Sequence, residues 1–165
     1  MKSQDVVVLS VLMKESARTL SYSSIGNIAK ISVSEAHASV KRLRDCDLIY
    51  SDHNLKKRNV EEFLLHALRY VFPMKFSNEV TLGMPTGYAA PISAAEFAVS
   101  GLVPVWKCPY GKVEGRVCEP IYPTAPYAAS EDSELYDHLS LIDMIRGGRL
   151  RERKFAEEKM KGILI

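Results

Sequence analysis

Ser21-Tyr22-Ser23-Ser24-Ile25-Gly26-Asn27-Ile28-Ala29-Lys30-Ile31-Ser32-Val33-Ser34-Glu35-Ala36-His37-Ala38-Ser39-Val40-Lys41-Arg42-Leu43 decides the reading of this chain. Ser21 is placed to cap a short helix over 22–29, with Ile25, Ile28 and Ala29 inward. Gly26 stands where two crossing helices need a small residue. Ser32-Val33-Ser34-Glu35 has the form of a capping box, in which the Ser oxygen accepts from the third helical N–H and the Glu reaches back. Ala36, Val40 and Leu43 then repeat at intervals of four and three, giving one apolar stripe. Two short helices joined by a tight turn, the second well capped, describe a helix-turn-helix.

Outward from this unit, Asp5 leads into an apolar run, Val6 to Glu15, read as a helix with Val8, Val11 and Leu12 on one face. The β-branched Val6-Val7-Val8 would also suit a strand. After the second helix, which should end near Cys46-Asp47, Leu48-Ile49-Tyr50 reads as a strand and Asp52-His53-Asn54 as a turn. Lys56-Lys57-Arg58 is then a basic return, and the three together have the layout of a wing. Asn59, with Glu62 three residues on, is expected to cap a helix carrying Val60, Phe63, Leu64, Ala67, Leu68 and Val71, stopping before Pro73.

The middle, 74–129, differs in composition, with all but one of the eight prolines and most of the glycines. Val103–Lys107 and Val113–Ile121 are expected to form a β-hairpin around Pro109-Tyr110-Gly111-Lys112. Leu82–Tyr88 is expected to be an ordered loop. Asp132 or Ser133 can cap a helix through Ile145, Gly147-Gly148 punctuates it, and Arg149–Gly162 reads as a final charged helix. The expected class is α+β, with residues 1–72 as the winged helix-turn-helix unit with its connecting helix and 73–165 as a mixed α+β region for assembly, partner binding or ligand sensing.

The chain of 165 residues has a net charge of only +2, but the charge is unevenly spread. Residues 1–58 carry ten basic and six acidic groups, 59–143 five and eleven, and 144–165 seven and three. A basic head suggests an anionic partner. The tail cluster Arg146, Arg149, Arg151, Arg153 and Lys154 suits DNA, glutamates of the middle or an acidic partner, and equally a solvated helix face.

Residues 5–58 resemble the winged helix-turn-helix domain of MarR-like bacterial transcription regulators. The resemblance rests on the Ser21 cap, Ile25-Gly26-x-Ile28-Ala29, Ile31-Ser32-Val33-Ser34, Val40-Lys41-Arg42-Leu43 and Leu48-Ile49. Lys30 stands where the turn usually has Gly, and positive φ there costs roughly 1 kcal/mol. The remainder is similar to a looser group of MarR-annotated proteins through Arg69-Tyr70-Val71-Phe72-Pro73, Gly83-Met84-Pro85-Thr86 and Arg151-Glu152-Arg153, which implies no activity. The final helices depart from MarR dimerisation helices, so no dimer mode is carried over.

The motif's second helix is expected in the DNA major groove, presenting Val33, Ser34, His37, Ala38 and Lys41. Ser34 and His37 can exchange hydrogen bonds with base edges, Ala38 can meet a thymine methyl, and Lys41 can reach a guanine or a phosphate. Arg42 and Arg44, with Ser23 and Ser24, suit phosphates. His53, Lys56, Lys57 and Arg58 suit the neighbouring backbone or minor groove. One short recognition helix discriminates little, so a homodimer on a palindromic site is expected. Reversing the charge of Lys41 and Arg42 together is expected to abolish binding with thermal unfolding nearly unchanged.

The other readings are an antitoxin-type protein that neutralises a neighbour-encoded partner, and an enzyme centred on a polar pocket in 74–129. No GxSxG, GxxxxGK[ST], GxGxxG or HExxH motif is present, and no catalytic residue is assigned. The pairs Glu62/His66 and Glu134/His138 suit ordinary helix surfaces better than a metal. The three cysteines match no zinc spacing, and in the expected hairpin Cys108 and Cys118 are not opposite, so no metal, cofactor or disulfide is expected. The start lacks signal-peptide character, and Tyr88–Trp106 contains Pro91, Glu96 and Pro104, against a membrane span. A cytoplasmic protein with reduced thiols is the expectation.

Overall fold

The computed structural model describes residues 1–14 and 20–165. The chain is α+β, with helices α1 (Ser3–Leu12), α2 (Tyr22–Ala29), α3 (Val33–Asp45), α4 (Lys57–Glu62) and α5 (Leu68–Val71) preceding three strands, β1 (Phe76–Pro85), β2 (Val103–Trp106) and β3 (Val113–Cys118). Helices α6 (Ala125–Glu131), α7 (Ser133–Gly147) and α8 (Leu150–Leu164) follow.

Helix α1 is buried on every side rather than along one face: every residue from Gln4 to Leu12 lies inside. A helix apolar all round is stable only at the centre of a core, and α1 sits among α2, α3 and α7. This decides between helix and strand for Val6-Val7-Val8. Asp5 seals the first turn by accepting the Lys2 N–H at 2.7 Å. Glu15, the last residue of the expected run, lies outside the described residues.

Helices α2 and α3 form as their caps dictate. Ser21 Oγ accepts the Ser24 N–H at 3.1 Å. Ser32 Oγ accepts the Glu35 N–H at 3.2 Å, and Glu35 Oε2 accepts the Ser32 N–H at 2.9 Å. Lys30 takes the left-handed conformation between them, φ 57° and ψ 45°. A Cβ on Gly26 would stand 2.8 Å from the Ile31 carbonyl oxygen, so the turn closes against a residue that must be small. Ala36, Val40 and Leu43 are fully buried.

The segment after α3 differs from the expected strand–turn–strand. A single antiparallel bridge, Ile49 to Leu55, closes a loop whose tip, His53, has φ 69°. Tyr50 donates to Asn54 O at 2.8 Å, and Lys56 to Leu48 O at 2.9 Å. Lys57 and Arg58 already belong to α4, with Lys56 rather than Asn59 before it. Asn59 instead donates to Asp47, at 2.7 Å to its carbonyl and 2.9 Å to its carboxylate, and Glu62 accepts from Arg58 at 3.2 Å. A π turn over Phe63–Ala67 separates α4 from α5, and Val71 is exposed.

The expected hairpin is absent. Strands β2 and β3 run parallel, with Val103 opposite Gly115 and Val105 opposite Val117. Both pair antiparallel with β1, which includes Leu82–Pro85, expected as loop: Thr81 faces Gly115, and Met84 faces Trp106. Each strand therefore bonds to the other two. The short return from β2 to β3 is possible because glycine meets glycine. A Cβ on Gly111 would collide with the Gly83 backbone, and one on Gly83 would lie 2.6 Å from the Trp106 carbonyl oxygen. Local turn signals do not report such a return, because it depends on β1 as the shared partner. Helix α6 also forms where only the middle region was expected, its first turn starting with Ala125-Pro126, where a missing proline N–H does no harm.

Asp143 ties the strands to α7. Its buried carboxylate accepts from Trp106 Nε1 at 2.7 Å, Thr86 Oγ1 at 2.9 Å and Arg146 Nη1 at 2.6 Å. Arg146 Nε donates to Phe72 O at 2.7 Å. Burial pushes the Asp143 carboxyl above its ordinary range, against the pull of Arg146. The apolar core runs from Val6 through Leu68 to Leu164 as one cluster. The division near residue 72 is thus a change of composition, while the packing continues across it. Lys14–Asp132 and Lys30–Glu131 ion pairs also join the basic head to the acidic middle. Among the described residues no helix is long and apolar enough to cross a membrane.

Candidate nucleic-acid interface

Helix α3 has two opposed stripes. Ala36, Ser39, Val40 and Leu43 are buried, while Ser34, His37, Lys41 and Arg44 are exposed at intervals of three and four. Val33 is 53% exposed at the helix start, and Ala38 is half-buried at the edge of the outer stripe. The capping box holds the α3 N-terminus, so the first outward residues start from a rigid turn.

Tyr22, the first residue of α2, was not singled out from the sequence, yet it joins three segments. Its ring meets His37 edge-on at 4.8 Å between centroids and His53 at 5.4 Å. It therefore fixes the loop tip against the outer face of α3. The one local hint was its place beside Ser23 and Ser24 at a helix start. Ser23 is exposed, whereas Ser24 Oγ lies 2.9 Å from Ser21 Oγ and belongs to the cap. Burial, then the charge of Arg44, hold the His53 imidazole below its ordinary range, so it is neutral at pH 7.

The basic residues divide into two sets. Lys41 and Arg44 are exposed and, among the described residues, have no carboxylate within ion-pair distance. Arg42 is different, and the expectation that it serves phosphates is corrected. Its guanidinium points inward to Asp5, with Nη2 at 2.6 Å and Nε at 2.9 Å from the two oxygens, and to Ser39 Oγ at 3.0 Å. Burial alone would raise the Asp5 carboxyl. The Arg42 guanidinium, with the Lys2 N–H and the Ser39 hydroxyl, outweighs it and holds Asp5 below the carboxylate range.

The basic return also disperses. Lys56 pairs with Asp47 and lies 5.0 Å above the Tyr50 ring. Lys57 donates to the Ile165 carbonyl at the chain end, and Arg58, 90% exposed, pairs with Glu62 one helical turn on. Lys57 and Arg58 therefore stand on α4, outside the Leu48–Leu55 loop. The expected strip of three neighbouring cations becomes one paired lysine at the loop and two residues on another element, because the chain turns helical two residues after the bridge.

No family model, curated protein or solved structure matches this chain. The site must be read from its chemistry. Histidine at 138 is in the core, 2% exposed, its Nδ1 3.2 Å from Ser10 O. His66 falls within the π turn, which breaks the regular spacing from Glu62. Among the described residues no three His, Cys, Asp or Glu side chains lie together as metal ligands. Cys118 is buried, Cys108 half-buried and Cys46 exposed, all as free thiols. Since β2 and β3 are parallel, the hairpin register expected for Cys108 and Cys118 does not apply.

Proposed function

We propose that the protein is a sequence-specific regulator that binds double-stranded DNA through a winged helix-turn-helix, with α3 as recognition helix and the Leu48–Leu55 loop as a reduced wing. The observation that carries this reading is the exposed stripe Ser34, His37, Lys41 and Arg44 on a helix whose opposite stripe is buried. The polar members near the helix start suit base edges, and the two unpaired cations further along suit phosphates or a guanine edge. Val33 and the edge of Ala38 offer apolar contact to a thymine methyl. Ser23 at the α2 start can donate to the backbone. Neutral His53, braced by Tyr22, presents a hydrogen-bonding tip to the adjacent groove.

Two unpaired cations on the outer stripe of α3, Lys41 and Arg44, give that face a small electrostatic footprint, which favours two copies on a twofold-symmetric site. Recognition helices about 34 Å apart would meet successive major grooves. The test is selection of bound duplexes from a random pool by the full chain. Recovery of one symmetric sequence by the native protein, and none by a folded Lys41→Glu variant, supports the reading. Equal enrichment by both proteins, or no enrichment at low salt, refutes it.

A further inference from the structure

On the side of the molecule formed by the strands and the α7–α8 junction lies a cavity of about 660 Å³. That is within the roughly 300–1,000 Å³ of small-molecule sites. Its walls include Phe76, Tyr88, Phe97 and Leu102, a lining suited to a flat apolar body. Arg116, Arg149 and Arg151 also line it. Among the described residues none of these three arginines has a carboxylate within ion-pair distance.

The two acidic lining residues are already engaged. Asp143 is paired with Arg146, and Glu152 Oε2 accepts the Arg149 N–H at 2.9 Å. Glu152 offsets one arginine charge, leaving the cavity with an excess of two positive charges. Two of the arginines are also held in place. Arg116 lies 5.5 Å above the Phe76 ring, with its Nε donating to Ser77 O at 2.9 Å. Arg151 lies 5.6 Å above Phe97, whose ring is braced edge-on by Phe155 at 5.4 Å. A guanidinium held over a ring can still direct its terminal nitrogens outward, and that planar fork matches phosphate geometry.

One carboxylate would leave half of this charge unmet, and a bare phosphate would leave the aromatic wall empty. A phosphate monoester at pH 7 carries about two negative charges on three acceptor oxygens. We propose that the cavity binds a phosphate monoester bearing a flat ring, the chemistry shared by nucleoside monophosphates and aryl phosphates. This assignment stands independently of DNA binding.

Trp106, the sole tryptophan, reports on the site because its indole donates to Asp143 in the cavity wall. The full chain is titrated with adenosine monophosphate and with phenyl phosphate, following Trp106 emission and heat. Benzoate and inorganic phosphate serve as comparison ligands. Saturable binding of at least one monoester is expected, at least about tenfold tighter than either comparison ligand. An Arg149→Ala/Arg151→Ala variant, with both residues exposed in the native chain, should melt normally and bind at least about tenfold more weakly. Arg151→Lys, which keeps the charge but loses the planar fork, should fall between. Preference for the adenosine ester names a nucleotide site, and preference for the phenyl ester an aryl phosphate site. No saturable binding of either monoester at millimolar concentration, benzoate binding as tightly, or an unchanged affinity in the double variant overturns the proposal.

Discussion

Arginine at 42 and lysine at 41 are neighbours in sequence, one turned inward to Asp5 and the other exposed, and separating them is the sharpest test of the arrangement around α3. Arg42→Gln removes both strong donors from Asp5, whose side chain is fully buried. Breaking a buried pair by removing one partner costs roughly 3–5 kcal/mol. The Arg42 side chain is 25% exposed, so water can reach part of the gap and the lower end, about 3 kcal/mol, applies. For a chain of this size that lowers Tm by about 6–12 °C. Lys41→Ala removes an exposed, unpaired side chain and should change stability by no more than about 0.5 kcal/mol. Thermal melts by circular dichroism at pH 7 separate the two. Asp5→Asn should also soften the loss caused by Arg42→Gln, because the stranded charge is gone. An Arg42→Gln variant melting within about 2 °C of the native protein would refute the inward assignment. The combined Lys41/Arg42 charge reversal is accordingly expected to unfold the protein at lower temperature, contrary to the expectation from sequence, and is unsuitable as a binding control.

Other outcomes follow from the same contacts. Because Asp5 has a lowered carboxyl pKa when folded, its contribution is complete above the unfolded value near 4 and is lost as pH falls through the folded one; the acid limb of a stability curve should flatten in Asp5→Asn. Burial lowers the His138 pKa, so protonation opposes folding, and Tm should fall as pH drops from about 7 to 5, less so in His138→Gln; a flat profile in the native chain would contradict its neutral, buried state. Trp106→Phe removes a buried donor from Asp143 and should cost about 1–3 kcal/mol in urea unfolding, with no loss indicating that Asp143 re-pairs. Gly111→Ala forces a Cβ into the Gly83 backbone and should cost at least about 1–3 kcal/mol; tolerance would argue against the parallel return from β2 to β3.

What the sequence made legible was local. The Ser21 and Ser32/Glu35 caps, left-handed Lys30 and the Asp132 cap on α7 all depend on residues within a few positions of one another. The stripe Ser34–His37–Lys41 could likewise be read from helical spacing alone. What escaped reading depends on distant partners. Arg42 looks like a surface cation until Asp5, 37 residues earlier, is placed beside it. Tyr22 looks like a helix start until His53 reaches its ring. The strand pairing rests on Gly83, Gly111 and β1, none of which marks a parallel return by itself. The charge blocks were similarly ambiguous: part of the basic head is neutralised by the acidic middle through Lys14–Asp132 and Lys30–Glu131, and of the five tail cations Arg146 is buried while Arg149 and Arg151 line the cavity.

The central claim is that the outer stripe of α3 binds duplex DNA with two phosphate-capable cations per copy, Lys41 and Arg44. Its most direct test is the salt dependence of binding to the selected duplex, measured by fluorescence anisotropy. Four contacts from two copies give a slope of log K against log salt of about −3.6, and Lys41→Ala should reduce it to about −1.8. Absence of binding at low salt, or a native slope unchanged by Lys41→Ala, would contradict the account.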